Sequence, residues 1–551
     1  MSFIKRVTLF ALFSTVCLNT NAQKTSTSSK ELSRPKLVVG IVVDQMRWDY
    51  LYRFYNRYGE TGFKRLLNQG FSCENTLINY IPTLTAIGHS SIFTGSVPSI
   101  HGIAGNDWID RATGKLVYCA EDSTVSTVGA PGKEGKMSPR NLLASTITDE
   151  LAIATNFQSR IIGVSLKDRA AILPAGHTPT GAFWMDDASG NFITSTYYMN
   201  QLPDWVEKFN KERNVDKLIA KPWNTLYPIN TYKQSAPDDS EWEGKLKGEE
   251  KPVFPHDIAK SYKLAPVTLR QTPFGNTLTL DFAKRALNAY NLGNGVATDF
   301  LTINCAATDY VGHLMGPNSI EIEDVYLRLD KDLGSFFEEL DKKVGKGNYT
   351  VFLTADHGAA NAIKFNQAHN IPSDAINAKN LQAGLNKFLK DKFGVSDNLI
   401  KSYRHYQFLF NQELIAKNKL KFADVKFEST IYLREQPGVQ FAIDLENAAS
   451  ATIPNLIKER IINGFNYKRH GDVQIINNPG WFSGGATGTS HGTYSAYDAH
   501  IPLIFMGWGI NQGSTNRETY ITDIAPTIAA FLHVQMPNGA IGKPITEVLK
   551  K

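Results

Sequence analysis

The sequence has no apolar run long enough to cross a bilayer. A spanning helix takes about 20 apolar residues, and the apolar stretch near the N-terminus, Val7 to Leu18, falls short of that. Dense runs of Lys or Arg are missing too. The 58 basic and 53 acidic side chains leave +5 over 551 residues, which gives no reason to propose a nucleic-acid partner. Cysteine is scarce, with four in the chain, at positions 17, 73, 119 and 305. With 42% apolar and 20% charged residues, nothing marks the chain as disordered, collagen-like or coiled-coil.

What is present begins at the N-terminus. Lys5 and Arg6 precede the apolar run, and Ala22 supplies a small residue after it. That order reads as a secretory signal peptide over residues 1–22. A polar linker follows over 23–34. Cys17 sits in a poor lipidation context, Ser14-Thr15-Val16. The chain is therefore expected to be exported, to the periplasm or beyond, with no membrane span in its mature form. Cys17 leaves with the signal. One disulfide is then allowed in an oxidising compartment, and Cys73–Cys119 is the expected pair because Cys305 sits inside an apolar run.

Short apolar runs at Leu37–Val43, Arg160–Val164, Phe300–Ala306, Thr350–Leu353 and Ile501–Phe505 read as buried parallel strands. Helical patterns lie between them. The clearest covers 319–344, with Ile322, Val325, Leu329, Leu333, Phe336, Leu340 and Val344 at three- and four-residue spacing, Asn318 and Glu321 as a capping box and Gly345 as a stop. Strand–helix alternation predicts an α/β fold, a doubly wound, mostly parallel sheet with helices on both faces. A catalytic domain over 35–550 would then carry two inserted regions, near 175–290 and 365–480, the second with an extended segment near Ser429–Asp444.

Three predicted strands run directly into acidic residues. The first ends at Asp44, the second at Asp309-x-x-x-His313, the third at Asp356-His357. Ligands in open α/β sheets bind at the carboxyl ends of strands. Three carboxylates converging there would repel one another, and metal ions remove that problem. Asp309 and His313, four apart, share a face if a helical turn follows the strand. His491 lies in a Gly488-Thr-Ser-His-Gly loop. Three Asp with three His suit zinc better than calcium or magnesium, and six ligands divide over two ions.

A nucleophile candidate is Thr85 in Pro82-Thr-Leu-Thr-Ala-Ile-Gly-His89, a turn entering a helix. A helix N-terminus favours a phosphate, and a nearby zinc ion would activate the hydroxyl. The same pattern also reads as a Thr helix cap, and Thr83 or Ser90 could compete for the role. Lys167 and Arg169 follow the Arg160–Val164 strand, where two cations suit a phosphate dianion or an ordinary charged turn. Asn106 could donate to a phosphate oxygen or simply sit in a turn.

Asp44, Thr85-Ala-x-Gly-His89 with Thr94-Gly-Ser, Asp309-x-x-x-His313, Asp356-His357-Gly and Gly-Thr-Ser-His491-Gly together resemble the alkaline phosphatase superfamily, and within it the PafA-type, type I phosphodiesterase/nucleotide pyrophosphatase-like branch. The resemblance runs from about Pro35 to Val548. It implies an alkaline phosphatase acting on small phosphate monoesters through a phosphothreonine at Thr85. It implies two Zn2+ per subunit: one held by Asp44, Asp356 and His357 and contacting Thr85, the other by Asp309, His313 and His491. It implies that Asn106, Lys167 and Arg169 contact the non-bridging oxygens. No motif for a third metal, magnesium, is seen. The rival on the same scaffold is a phosphodiesterase or nucleotide pyrophosphatase. A sulfatase lacks support because no Cys/Ser-x-Pro-x-Arg motif occurs.

Overall fold

The computed structural model describes residues 32–550. The signal-peptide reading lies outside them, as does most of the linker. From Arg34 onward the chain forms one compact unit. Its strands are β1 (Leu37–Val43), β2 (Phe71–Leu77), β3 (Ile161–Ser165), β4 (Gly181–Asp186), β5 (Asn191–Ser195), β6 (Asp299–Cys305), β7 (Tyr349–Thr354) and β8 (Leu503–Gly507). They build the main sheet in the order β2-β8-β7-β1-β6-β3-β4-β5, with His500–Ile501 flanking β2 and Thr127–Val128 flanking β5.

The five central strands β7, β1, β6, β3 and β4 are parallel. All seven residues of β1 are buried, as a parallel strand covered on both faces requires. Antiparallel pairs occur on both flanks, β8 against β7 and β2, and β5 against β4, while Gly513–Tyr520 pairs parallel with β2. The expected parallel strand Ile501–Phe505 is therefore corrected. It breaks at Pro502, which has no N–H for a ladder, and its second half runs antiparallel.

Helix α1 (Thr85–Thr94) lies on the centre of the sheet, its Phe93 ring 6.2 Å from Phe300 and 5.9 Å from Phe352. Helix α2 (Ala307–Met315) follows β6 directly. Helix α3 (Ile320–Leu340) buries the expected apolar stripe. Its cap is Ser319, whose hydroxyl accepts from the Ile322 N–H, rather than Asn318. The Asn318 amide is instead engaged with Asn361 and its carbonyl with the Ala236 N–H.

Residues 378–477 carry a four-stranded antiparallel sheet of their own, in the order Ile400–Arg404, Gln407–Phe410, Val473–Asn477, Val439–Asp444. Leu385, Leu389, Phe408, Val425, Leu433, Val473 and Ile475 fill a separate core against it. The expected extended segment from Ser429 begins only at Val439, because Phe422–Arg434 is helical and buries Val425, Ser429 and Leu433. Cys73, Cys119 and Cys305 are all buried free thiols, so the expected Cys73–Cys119 bond is absent. Each packs into the main apolar core from its own element.

Candidate metal centre and active site

Four neighbouring strands, β7, β1, β6 and β3, end on one edge of the sheet. Their carboxyl ends deliver Asp356 and His357, Asp44, Asp309 and His313, and Lys167 respectively. Helix α2 starts at Ala307, which places Asp309 and His313 on successive turns of one face, with His313 Nε2 3.1 Å from Asp309 Oδ1. His491 arrives on the loop after the Trp481–Phe482 strand and completes the set.

The six side chains separate into two groups of three: Asp44, Asp356 and His357; and Asp309, His313 and His491. Within each group the candidate ligand atoms lie within 4.8 Å of one another. His357 Nε2 is 3.4 Å from Asp356 Oδ2, 3.8 Å from Asp44 Oδ1 and 3.4 Å from Thr85 Oγ1. A tetrahedron with zinc–ligand bonds of about 2.0–2.1 Å has edges of roughly 3.3 Å, close to these distances from His357 Nε2. Asp44 Oδ1 and Asp356 Oδ2 are buried with no hydrogen-bond partner, an arrangement that costs several kcal/mol unless a cation satisfies it (order of magnitude).

All three imidazoles are oriented alike. His357 Nδ1 faces the Gly358 carbonyl at 2.9 Å, His313 Nδ1 that of Thr489 at 2.9 Å, and His491 Nδ1 that of Thr83 at 2.7 Å. Donation from Nδ1 leaves the Nε2 lone pair free for a metal. Burial holds the His357 pKa down, and burial with the neighbouring imidazoles of His357 and His313 holds His491 well below its ordinary value. Both shifts favour the neutral form of the ring, the form that binds a metal.

The carboxylates are in unequal settings. Burial and the Asp44 charge push Asp356 well above the carboxylate range. Burial also raises Asp309, but the Lys167 ammonium and His313 outweigh it and hold that carboxyl well below. Lys167 Nζ lies 2.9 Å from Asp44 Oδ2 and 2.6 Å from Asp309 Oδ2. A buried ammonium, 1% exposed, thus touches one carboxylate of each group. Burial alone would lower its pKa; Asp309 and Asp44 raise it instead.

Thr85 is the first residue of α1, 2% exposed, and its side chain caps nothing because Leu84 holds the cap position. The competitors are occupied elsewhere: Thr83 Oγ1 donates to the Thr493 carbonyl, and Ser90 Oγ to that of Ala86. The Asn106 side-chain oxygen accepts from the Ala86 N–H at 3.0 Å, which leaves its amide hydrogens for another acceptor beside Thr85. Arg169 NH1 donates to Tyr118 Oη at 3.2 Å, and Tyr118 donates to Asp168 at 2.6 Å.

Gly88 is fixed by close approach. A Cβ there would lie 2.4 Å from the Asp356 carbonyl oxygen. Gly88→Ala is therefore expected to push α1 off the Asp356 turn, destabilising the fold by about 1–3 kcal/mol and lowering metal content. Unchanged Tm and metal stoichiometry would show that the contact yields freely.

Several residues at the site escape sequence reasoning. Gln45 donates from its backbone to Asp356 Oδ1 at 3.1 Å and from Nε2 to Asp309 Oδ1 at 2.7 Å, bridging both groups from a left-handed backbone, φ 63°. Asn304 Nδ2 donates to Asp44 Oδ2 at 3.2 Å. A buried amide inside the apolar run of β6 was the available signal for Asn304. Tyr118 gave none.

Residues 38–500 match the family model described as type I phosphodiesterase / nucleotide pyrophosphatase. The chain is 55% identical over 531 residues to alkaline phosphatase PafA of Elizabethkingia meningoseptica, covering 96% of each. A Myroides odoratus relative named calcium-transporting ATPase is 54% identical over 529 residues, 95% of this chain and 96% of its own. No helix among the described residues is long and apolar enough to cross a membrane. The crystal structure of wild-type alkaline phosphatase PafA superposes with a TM-score of 0.92 at 55% identity, covering 94% of this chain and 99% of that one.

Proposed function

The chain belongs to the type I phosphodiesterase / nucleotide pyrophosphatase family, in its PafA-type alkaline phosphatase branch, and from that premise we propose that Thr85 is the nucleophile of a two-zinc phosphomonoesterase. It hydrolyses phosphate monoesters to an alcohol and inorganic phosphate. Asp44, Asp356 and His357 would hold one zinc ion, and Asp309, His313 and His491 the other. Such ions would supply positive charge to the reacting phosphate ester, and the one held by Asp44, Asp356 and His357 would lower the pKa of the Thr85 hydroxyl.

The chain's own groups do the rest. Thr85 Oγ1 attacks phosphorus as its proton passes to solvent, and the ester P–O bond breaks, its oxygen taking a proton from solvent to give the alcohol and phosphothreonine. Water then attacks the same phosphorus and gives up a proton to solvent, the P–O bond to Thr85 Oγ1 breaks, Oγ1 is reprotonated and phosphate is released. Asn106 Nδ2, Lys167 and Arg169 bind the non-bridging oxygens. Because the transition state is loose, positioning and charge supply most of the rate.

The position of Lys167 carries the monoester reading. A buried ammonium reaching both ligand groups, with Arg169 two residues on, supports a role for the two cations in holding a dianionic phosphoryl group. A diester has one charge fewer and a second organic group to house. The terminal phosphoryl of ATP resembles a monoester in charge, so the ATPase name of the Myroides relative fits the same site chemistry. The export reading rests on Lys5, Arg6, the apolar run to Leu18 and Ala22.

Chelation tests the metal assignment. Removing metal is expected to abolish phosphatase activity and lower Tm, since buried carboxylates lose their compensating charge. Zinc should restore both, and recovery with calcium alone would overturn the assignment.

A further inference from the structure

One hairpin of the 378–477 region reaches the loops of the catalytic site, beside contacts such as those of Arg460 with Ile81 and Arg469 with Gly102. Ile400–Arg404 and Gln407–Phe410 pair antiparallel with Arg404 opposite Gln407, so His405 and Tyr406 alone form the turn. Both lie in the left-handed region, φ 50° and 66°. A two-residue turn with both φ positive normally takes Asn-Gly or Asp-Gly. Bulky side chains there cost on the order of 1–2 kcal/mol per residue. Strain of this kind persists where the surroundings hold it.

The surroundings are the two loops that complete the site. His405 Nε2 is 3.1 Å from the Asp107 carbonyl oxygen and 3.3 Å from Asp107 Oδ1, with Arg404 NH1 on the same carboxylate at 2.7 Å. The His405 ring lies so close to Gly105 that a Cβ there would approach it to 2.9 Å. Gly105 and Asp107 flank Asn106. On the other side, Tyr406 Oη accepts from the Ser483 N–H at 2.9 Å, and its ring would lie 3.3 Å from a Cβ on Gly492, next to His491. Tyr406 is 6% exposed, enclosed between these loops.

We infer that the His405–Tyr406 turn is a positioning device: His405 sets the Asn106 loop and Tyr406 braces the His491 loop, so the inserted region fixes the spacing between the phosphate-binding amide and a metal ligand. The inference rests on the role proposed for Asn106. Neither residue reaches the reacting atoms; each acts through a neighbour.

His405→Asn separates positioning from folding. Asn tolerates the left-handed turn, so the variant keeps or gains Tm, but its shorter side chain withdraws from Asp107. It is expected to lose about tenfold in kcat/KM for an aryl phosphate, as small misplacements of binding groups do. His405→Gln, whose amide nitrogen stands where Nε2 stood, should recover to within about threefold. In an Asn106→Ala background the His405→Asn loss should shrink to less than about twofold, because coupled residues are not additive. A loss of the same size in both backgrounds, or full activity in His405→Asn, would overturn the positioning role while leaving Asn106 in place. If Asn106→Ala alone has no effect, the binding role of Asn106 fails and the inference falls with it.

Discussion

Thr85→Ala is expected to lower kcat/KM for an aryl phosphate by roughly 10^4-fold or more while the content of the proposed zinc sites is unchanged. The two effects are separable for a structural reason. Thr85 lies inside the helix start rather than at its cap, so removing the hydroxyl costs the helix no hydrogen bond. Its one described side-chain contact is His357 Nε2 at 3.4 Å. Each ligand group keeps its three side chains without it. Metal analysis and Tm of the variant should match the parent, and acid-quenched parent enzyme should carry phosphate on Thr85. An active Thr85→Ala protein would move the nucleophile to another group.

The second large effect concerns charge. Lys167→Ala combined with Arg169→Ala should cut monoester kcat/KM by about 10^3-fold or more, and hydrolysis of the methyl diester by about tenfold at most. The asymmetry follows from the substrates, since a dianionic phosphoryl group presents one more charge to the two cations than a diester does. Lys167 contacts Asp44 and Asp309 directly, so metal content must be measured alongside. Equal losses on the two substrates, at full metal content, would favour a diesterase.

The parts of the molecule that sequence reveals are those with a local physical signature. Strands β1, β6 and β7 are buried on every residue because both faces are covered, and each is followed within four residues by an acidic residue that no core would tolerate alone. The α3 stripe is equally plain. Direction is different. An apolar run such as Ile501–Phe505 carries no sign of whether it pairs parallel or antiparallel, and only Pro502 hinted at the break. The α3 cap fell one residue away because Asn318 and Ser319 both suit it, and contacts with Asn361 and Ala236 decide between them. Cysteine count suggested a disulfide, but bond formation depends on distances that composition does not hold.

At the site, five of the six candidate ligands stood out because Asp and His recur at strand ends, and His491 because of its Gly-flanked loop. The groups that orient them did not. Gln45 reads as an ordinary polar residue until its left-handed backbone aims its N–H at Asp356 and its side-chain amide at Asp309. Backbone carbonyls of Thr83, Gly358 and Thr489 fix the imidazoles, and a carbonyl has no sequence signature at all. Arg404-His405-Tyr406-Gln407 lacks the residues that announce a tight turn, so its role emerges only from the fold.

The most direct test compares kcat/KM of the purified, zinc-loaded protein for an aryl phosphate and for its methyl diester under the same conditions. The proposed two-zinc site, with Lys167 and Arg169 as its phosphate-binding cations, predicts a preference for the monoester of about 10^3-fold or more. Equal rates, or faster cleavage of the diester, would contradict a phosphomonoesterase built on these residues.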